Sequence, residues 1–194
     1  MKIIREIVKT GAGLVILLVV LKYTGLMSSI SFVAQSAALE SGLLEPHLDP
    51  KESENFDYNF IIKDLQGNKH SFDKYKGKVV FLNLWATWCG PCRAEMAGIQ
   101  KLYVAMPGDS ISFVMLSLDK DKDQAKVIKY IRDKEFTFPV FLPSGYLSPQ
   151  LSVPAIPTTF IIGKDGKIAA KEIGTTNFNT PKFKKFLQKL NESK

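Results

Sequence analysis

The feature that most constrains this chain is a pair of cysteines, Cys89 and Cys92, at the end of an apolar run. They are the only two cysteines among 194 residues. The run, Val79–Trp85, has the composition and length of a buried β-strand. After the pair, apolar residues recur at the helical spacings of three and four: Met96, Ile99, Leu102 and Tyr103. The sequence therefore predicts a strand that delivers a Cys-x-x-Cys pair to the first turn of a helix.

The start of a helix changes the chemistry of a thiol. The first N–H groups of a helix lack intrahelical partners and carry partial positive charge. A thiol placed there ionises more easily, and the thiolate is the reactive nucleophile. Pro91 suits this position because its missing N–H would have been unpaired there. Cys89 precedes the helix and fits the attacking role, whereas Cys92 lies one turn inside and fits the resolving role.

Three uses of a Cys-x-x-Cys pair compete. A structural zinc site needs about four ligands, but the chain has no further cysteine, and its two histidines, His47 and His70, lie in other segments. A purely structural disulfide would close a very short loop and would stabilise the fold only weakly. The sequence favours the third use, which is redox or metal-transfer chemistry by a dithiol.

Trp88-Cys89-Gly90-Pro91-Cys92 resembles the active-site pentapeptide of thioredoxin. The wider run 77–89, together with Glu95, is similar to the TlpA/ResA group, which comprises membrane-anchored or periplasmic thiol–disulfide oxidoreductases of thioredoxin fold. The resemblance covers about residues 56–190. It implies that Cys89 and Cys92 form a redox disulfide, that Gly90 and Pro91 form the active-site loop, and that no cofactor is needed beyond the two sulfurs.

A second constellation, Ala155–Phe160, opens a predicted strand with Pro157, where a proline need not donate to the sheet. The resemblance implies that the Ile156–Pro157 bond is cis, that it faces the dithiol, and that the backbone of Ile156 binds an extended substrate strand. The alternative is an ordinary trans proline at a strand edge. Trp88 is expected to shield one side of the dithiol and to contact substrate, and its alternative is core packing.

Two departures from thioredoxin concern the neighbours of the dithiol. Asn83 stands where thioredoxin carries a buried aspartate, and it cannot titrate. Glu95 lies three residues after Cys92 on the same helix face, so we expect it to act as the base for Cys92. The alternative is a surface glutamate paired with Arg93 or a lysine. Ala97 stands where thioredoxin usually has a proline in this helix, so the sequence does not predict the kink that such a proline causes.

The N-terminus is predicted to anchor the chain in a membrane. Basic residues precede an unbroken apolar run, 11–21, and the segment 7–26 would span roughly 30 Å as a helix, about one hydrocarbon core. A cleaved signal peptide is the competing interpretation, with Ser36-Ala37-Ala38 as the cleavage site. That site lies far from the apolar run, and Lys22 intervenes, so the anchor is favoured.

Charge sets the predicted orientation. Lys2, Arg5 and Lys9 precede the span and only Lys22 follows it closely, so a single-pass protein would keep its N-terminus in the cytoplasm. The cysteines would then lie in a periplasm or on the outer face of the cytoplasmic membrane. We predict an anchor segment over 1–34, a polar tether over 35–55 and a thioredoxin-like domain over 56–194. The net charge of +7 comes from scattered lysines, which favours a solvated surface over a nucleic-acid partner.

The remaining pattern predicts an α/β fold of strands alternating with helices. A hairpin, 60–72, precedes the buried strand, and a second hairpin, 158–173, follows. The helix 121–134 and the strand 138–142 match the inserted helix–strand unit of TlpA-like proteins. Apolar residues predicted to face inward from the inserted helix and from a closing helix are Val127, Ile128, Tyr130, Ile131, Phe183, Phe186, Leu187 and Leu190.

Taken with the resemblance, the sequence predicts a reductant of protein disulfides. Gly90-Pro91 is the dipeptide of the reducing member of the superfamily. The family's usual client is the haem-attachment site of apocytochrome c, and electrons would come from a membrane thiol carrier. One alternative is copper handling, either maturing a copper site or carrying Cu(I). A less favoured alternative is a peroxidase, whose Pro-x-x-x-Thr-x-x-Cys pattern would need Pro at Leu82 and Thr at Ala86.

Overall fold

A sheet of seven strands organises residues 44–46, 54–106 and 111–193, the parts of the chain that the computed structural model describes. The strands are β1 (Ile61–Asp64), β2 (Lys69–Ser71), β3 (Val79–Trp85), β4 (Ile111–Ser117), β5 (Val140–Pro143), β6 (Thr158–Ile162) and β7 (Ile168–Ile173). Their order in the sheet is β2-β1-β5-β4-β3-β6-β7. β3 is parallel to β4 and antiparallel to β6, and an antiparallel hairpin closes each edge. The predicted α/β class and both hairpins are confirmed.

Three helices pack on one face of the sheet: α1 (Gly90–Ala105), α2 (Gln124–Asp133) and α3 (Pro181–Glu192). All seven residues of β3 are buried, because both faces of this strand are covered. Successive side chains of a strand point to opposite faces. Val79, Phe81 and Trp85 therefore join the core beneath the helices, while Val80, Leu82 and Leu84 join a second core on the other face.

The second face is covered by aromatic side chains rather than by an α-helix of the described residues. Phe56, Tyr58 and Phe60 come from the segment before β1, and Phe72 comes from a 3₁₀ turn, Phe72–Tyr75. The rings of Phe60 and Phe72 stack with their centroids 4.4 Å apart. The segment that enters the domain is thus part of its core.

Five residues of the predicted tether, 35–55, are described: 44–46, Glu54 and Asn55. Glu54 lies beside β7, since its carbonyl oxygen accepts from the N–H of Ile168 at 2.9 Å. The segment 44–46 contacts another part of the domain. The N–H of Asn177 donates to the carbonyl oxygen of Leu44 at 2.7 Å, and Lys182 Nζ lies 3.9 Å from a carboxylate oxygen of Glu45. Pro46 is buried. This part of the chain is therefore attached where α3 begins.

The inserted helix differs from its prediction in two respects. Its first turn is a 3₁₀ turn, Asp121–Asp123, and the α-helix begins at Gln124. Val127 and Ile131 are buried as predicted, but Ile128 is 39% exposed. Residues four apart share a helix face, whereas the next residue is rotated by about 100°. Only one narrow stripe of α2 can therefore reach the sheet. The strand after it begins at Val140 rather than at Phe138, although Phe138 is still buried.

The predicted anchor, 7–26, lies outside the described residues. Within residues 44–46, 54–106 and 111–193, no helix is both long enough and apolar enough to cross a membrane.

Candidate active site

The two cysteines form a disulfide at the N-terminus of α1. Cys89 is the N-cap residue of that helix, and its Sγ accepts a hydrogen bond from the N–H of Cys92 at 3.2 Å. Oxygen side chains usually take this capping role. Because the helix end supplies both an unpaired N–H and partial positive charge, the same contact would stabilise a Cys89 thiolate once the disulfide is reduced.

A tight turn joins the buried strand β3 to this helix. The N–H of Cys89 donates to the carbonyl oxygen of Ala86 at 3.1 Å, and the N–H of Arg93 donates to the carbonyl oxygen of Cys89 at 3.1 Å. Since β3 is buried on both faces, its end has a fixed place, and the turn carries that placement to the sulfurs. This arrangement is the predicted strand, Cys-x-x-Cys pair and helix.

Exposure differs among the three residues of the motif. Cys92 is 0% exposed and Cys89 is 5% exposed, so Cys89, which was predicted to attack, is the more accessible of the two although it is still buried. Trp88 is 70% exposed. The alternative that Trp88 is a core residue is therefore wrong. A large indole that is mostly exposed beside a dithiol offers an apolar contact surface for a partner.

The Ile156–Pro157 peptide bond is cis and lies beside the dithiol. Cys89 Sγ is 3.7 Å from the carbonyl oxygen of Ile156. Trp88 and Ile156 also line one groove of about 540 Å³, together with Leu118 and residues 151–155. We call this the Trp88 groove. The structure thus brings together the two segments that were predicted to contact substrate.

Glu95 is buried in α1, with only 1% of its surface exposed. Its Oε1 accepts from Asn83 Nδ2 at 2.9 Å, and its Oε2 accepts from the N–H of Thr176 at 3.1 Å. Desolvation outweighs these two hydrogen bonds and raises the pKa of Glu95 to about 8. The alternative of a surface glutamate paired with Arg93 is wrong. The Arg93 guanidinium instead lies 5.4 Å from the ring centroid of Tyr130.

Two residues of this polar cluster were not identified from the sequence. Asn83 Nδ2 also donates to Thr159 Oγ1 at 2.8 Å, and Thr176 reaches Glu95 through its backbone N–H. Thr159 lies directly opposite Asn83 in the β3–β6 pairing, so a correct strand register would have located it. No sequence signal marks Thr176, because its contribution comes from the main chain.

His70, the one histidine among the described residues, takes no part in this site. His70 lies in β2, and its Nε2 is 3.1 Å from an Asp64 carboxylate oxygen, as expected for a surface strand residue. His47 is outside the described residues. Among the described residues, no group of three or more His, Cys, Asp or Glu side chains is arranged to hold a metal ion.

The raised pKa of Glu95 predicts how stability depends on pH. A folded protein with this pKa near 8 holds a proton that the unfolded chain releases near its ordinary value of 4.5. The stabilisation is therefore complete below about 4.5 and is lost as the pH rises towards 8. We expect the free energy of unfolding of the oxidised protein to fall by a few kcal/mol across this window, because each tenfold change in proton affinity is worth about 1.4 kcal/mol. Glu95→Gln should remove that fall.

Urea unfolding at several pH values measures this difference. Glu192→Gln, which changes an exposed glutamate, is the matched control and should keep the wild-type profile. Parallel profiles for wild type and Glu95→Gln would contradict the assignment of a protonated, buried Glu95.

Comparison with known proteins agrees with this arrangement. A family model described as the AhpC/TSA family matches residues 56–171. The thiol-disulfide oxidoreductase ResA of Bacillus cereus is 38% identical over 117 residues, which cover 60% of this chain and 66% of that relative. ResA of Geobacillus kaustophilus is 30% identical over 161 residues, which cover 82% of this chain and 84% of that relative.

Several Bacillus relatives are longer than the matched part, and the chain spans 63 to 66% of their length. Among solved structures, StoA from Bacillus subtilis superposes with a TM-score of 0.54 and 30% identity, covering 69% of this chain and 96% of StoA. The predicted thioredoxin-like fold is confirmed by this likeness. The chain therefore belongs to the AhpC/TSA family, and it is a TlpA/ResA-like protein.

Proposed function

We propose that this chain is a membrane-anchored, extracytoplasmic thiol–disulfide oxidoreductase that mainly reduces disulfides of client proteins. The observation that carries the proposal is the disulfide at the start of α1, with Cys89 Sγ between the N–H of Cys92 and the carbonyl oxygen of Ile156. The names of its ResA relatives, which are thiol-disulfide oxidoreductases, support the same activity.

The reaction needs only the two sulfurs. In the reduced protein, the Cys89 thiolate attacks one sulfur of a client disulfide, so a Cys89–client bond forms and the client S–S bond breaks. The other client sulfur leaves as a thiolate. The Cys92 thiolate then attacks the Cys89 sulfur, which restores the Cys89–Cys92 disulfide and releases the client sulfur that Cys89 had bound. Two electrons pass to the client, and the two protons lost by the cysteines end on the client thiols. A membrane thiol carrier would return the two electrons.

The client would bind along the edge formed by Ile156 and the Trp88 groove. In the described part of the chain, neither the N–H nor the carbonyl oxygen of Ile156 takes part in a backbone hydrogen bond. An extended client segment could therefore pair with this backbone as an added strand. Trp88 would cover the segment from one side, since its indole is exposed and contributes to the same groove.

Glu95 would manage the proton of Cys92 during the resolving step. Cys92 is fully buried, so water has little access to its thiol. Glu95 follows by three residues on the same helix, and Asn83 and the N–H of Thr176 hold its two carboxylate oxygens. A carboxyl group with a pKa of about 8 can both accept and return a proton near neutral pH.

A peroxidase is disfavoured although peroxiredoxins share this fold. The peroxidase pattern requires proline at position 82 and threonine at position 86. Leu82 and Ala86 occupy these positions, and neither side chain carries a hydroxyl that could bind a peroxide at the cysteine. A copper-handling role has no comparable support among the described residues.

We also propose a location for the protein and a class of client. Support for an anchor and for an extracytoplasmic domain comes from the basic start and the apolar segment 7–26. Apocytochrome c is the proposed client class because its haem-attachment cysteines must be reduced before haem is attached.

The first prediction concerns the roles of the cysteines. Cys92→Ser should accumulate mixed disulfides with clients, because Cys89 can attack but nothing resolves the product. Cys89→Ser should accumulate none, which makes it the matched control. In the reduced wild-type protein, Cys89 should react with iodoacetamide at least about tenfold faster than Cys92 near neutral pH, because the helix end favours its thiolate. Non-reducing electrophoresis and mass spectrometry of labelled peptides measure both results, and equal labelling would refute the assignment.

The second prediction concerns Glu95 in catalysis. Glu95→Gln keeps the shape of the side chain but cannot accept a proton, so the resolving step should slow by about a hundredfold. Its dependence on pH near 8 should also disappear. Stopped-flow oxidation of the reduced protein across pH measures this, with Glu192→Gln as the control. Superimposable profiles for wild type and Glu95→Gln would remove Glu95 from the mechanism.

The third prediction concerns topology. The full-length protein should remain in the membrane fraction after carbonate extraction, and an impermeant maleimide should label reduced Cys89 in intact cells or spheroplasts. A soluble extracytoplasmic form beginning near Leu39 would show that the segment is a cleaved signal instead. Labelling only after lysis would show that the domain is cytoplasmic.

A further inference from the structure

Asp119 is a buried carboxylate that the proposed reaction does not use. It follows β4 by two residues and is only 5% exposed. It accepts three side-chain or backbone hydrogen bonds: from the N–H of Thr87 at 2.8 Å, from Thr87 Oγ1 at 2.6 Å and from Ser117 Oγ at 2.7 Å. A buried charge is costly unless such donors surround it, and bonds to a carboxylate are among the stronger ones. Two of the three donors belong to Thr87.

Thr87 lies in the turn that carries the dithiol. It stands between Ala86, where the turn begins, and Trp88, which precedes Cys89. A neighbouring backbone bond, from the N–H of Leu118 to the carbonyl oxygen of Trp85 at 2.7 Å, joins the same two segments. Hydrogen bonds from the segment that follows β4 therefore hold the turn between β3 and α1 in place.

The hydrogen bonds between Asp119 and Thr87 also hold in place two residues that line the Trp88 groove. Trp88 follows Thr87, Leu118 precedes Asp119, and both Trp88 and Leu118 line the groove. Because Trp88 is 70% exposed, packing against the core does not determine where its indole lies. The backbone of the turn must do so, and Asp119 holds that backbone through Thr87.

We propose that Asp119 is a positioning residue that sets the selectivity of this site for protein disulfides by holding Trp88 opposite Leu118. The inference rests on the proposed function, because it takes the groove to bind a client. The ligand class is an extended polypeptide with an apolar side chain beside its reactive cysteine, since the groove walls are mainly apolar. A small disulfide reaches Cys89 without filling the groove and does not depend on its width.

The test compares two substrates with three variants of the full chain. Asp119→Asn has nearly the same shape but loses the charge and one acceptor position facing Thr87. Thr87→Val removes only the hydroxyl bond. Ser117→Ala removes a donor outside the turn, together with the oxygen that accepts from the N–H of Asp119 at 3.2 Å. Rate constants of the reduced proteins are measured with insulin and with bis(2-hydroxyethyl) disulfide, and the ratio of the two constants is the readout.

We expect the insulin-to-small-disulfide ratio to fall about tenfold in Asp119→Asn, the effect of losing one hydrogen bond to a charged group. Thr87→Val should lower the ratio by a smaller factor. If Asp119→Asn fails to fold, the ratio of Thr87→Val is the test of the proposal. Ser117→Ala leaves both bonds from Thr87 in place, so it should change the ratio by less than Thr87→Val does. A merely structural role for Asp119 would lower both rate constants together and leave the ratio unchanged, which would overturn the proposal.

A second readout does not require activity. The chain has two tryptophans, so the side-chain N–H groups of Trp85 and Trp88 give two indole signals in a ¹H–¹⁵N spectrum. The heteronuclear NOE of Trp88 should fall in Asp119→Asn, while that of the buried Trp85 should stay constant. An unchanged Trp88 signal would overturn the proposal. If the wild-type protein reduces neither substrate, the proposed function fails, and this NMR measurement alone decides whether Asp119 positions Trp88.

Discussion

The hydrogen bond from the N–H of Cys92 to Cys89 Sγ is the interaction on which the site depends. It can form only if the helix begins directly after Cys89, and the helix can begin there only if β3 ends at a fixed point. Both faces of β3 are buried, so a shift of one residue would exchange its two sets of side chains between the cores. The reactivity of one sulfur is therefore secured by the packing of a whole strand.

The polar cluster around Glu95 also depends on β3, but through the one polar side chain of that strand. Asn83 is the one polar residue in an otherwise apolar β3, and it lies between Glu95 on α1 and Thr159 on β6. A carboxyl group surrounded by core side chains keeps its proton to higher pH than one in water. In the proposed mechanism such a neighbour would exchange a proton with Cys92, whose thiol is fully buried.

Local patterns in the sequence were sufficient to predict the strands and helices and the position of the two cysteines. The apolar run, the cysteine spacing and the glycine turns each act within about ten residues, and Cys89, Cys92 and Pro157 fall where they were expected. Contacts between distant segments were not accessible in this way. Thr176 contributes a backbone N–H across 81 residues and Asp119 binds Thr87 across 32, and neither residue type announces such a role. Ile128 was misplaced because an apolar residue beside a buried stripe looks the same in sequence as one within it.

The contacts of Leu44 and Glu45 with Asn177 and Lys182 would limit how far the dithiol can stand from a membrane in a chain anchored as proposed. If the anchor ends at Leu26 and the segment 44–46 stays attached to Asn177 and Lys182, only the seventeen residues 27–43 separate the two. A fully extended stretch of that length reaches about 60 Å at most. The distance from the bilayer to the active site could then not exceed this length plus the diameter of the domain. Client disulfides farther from the bilayer would be out of reach.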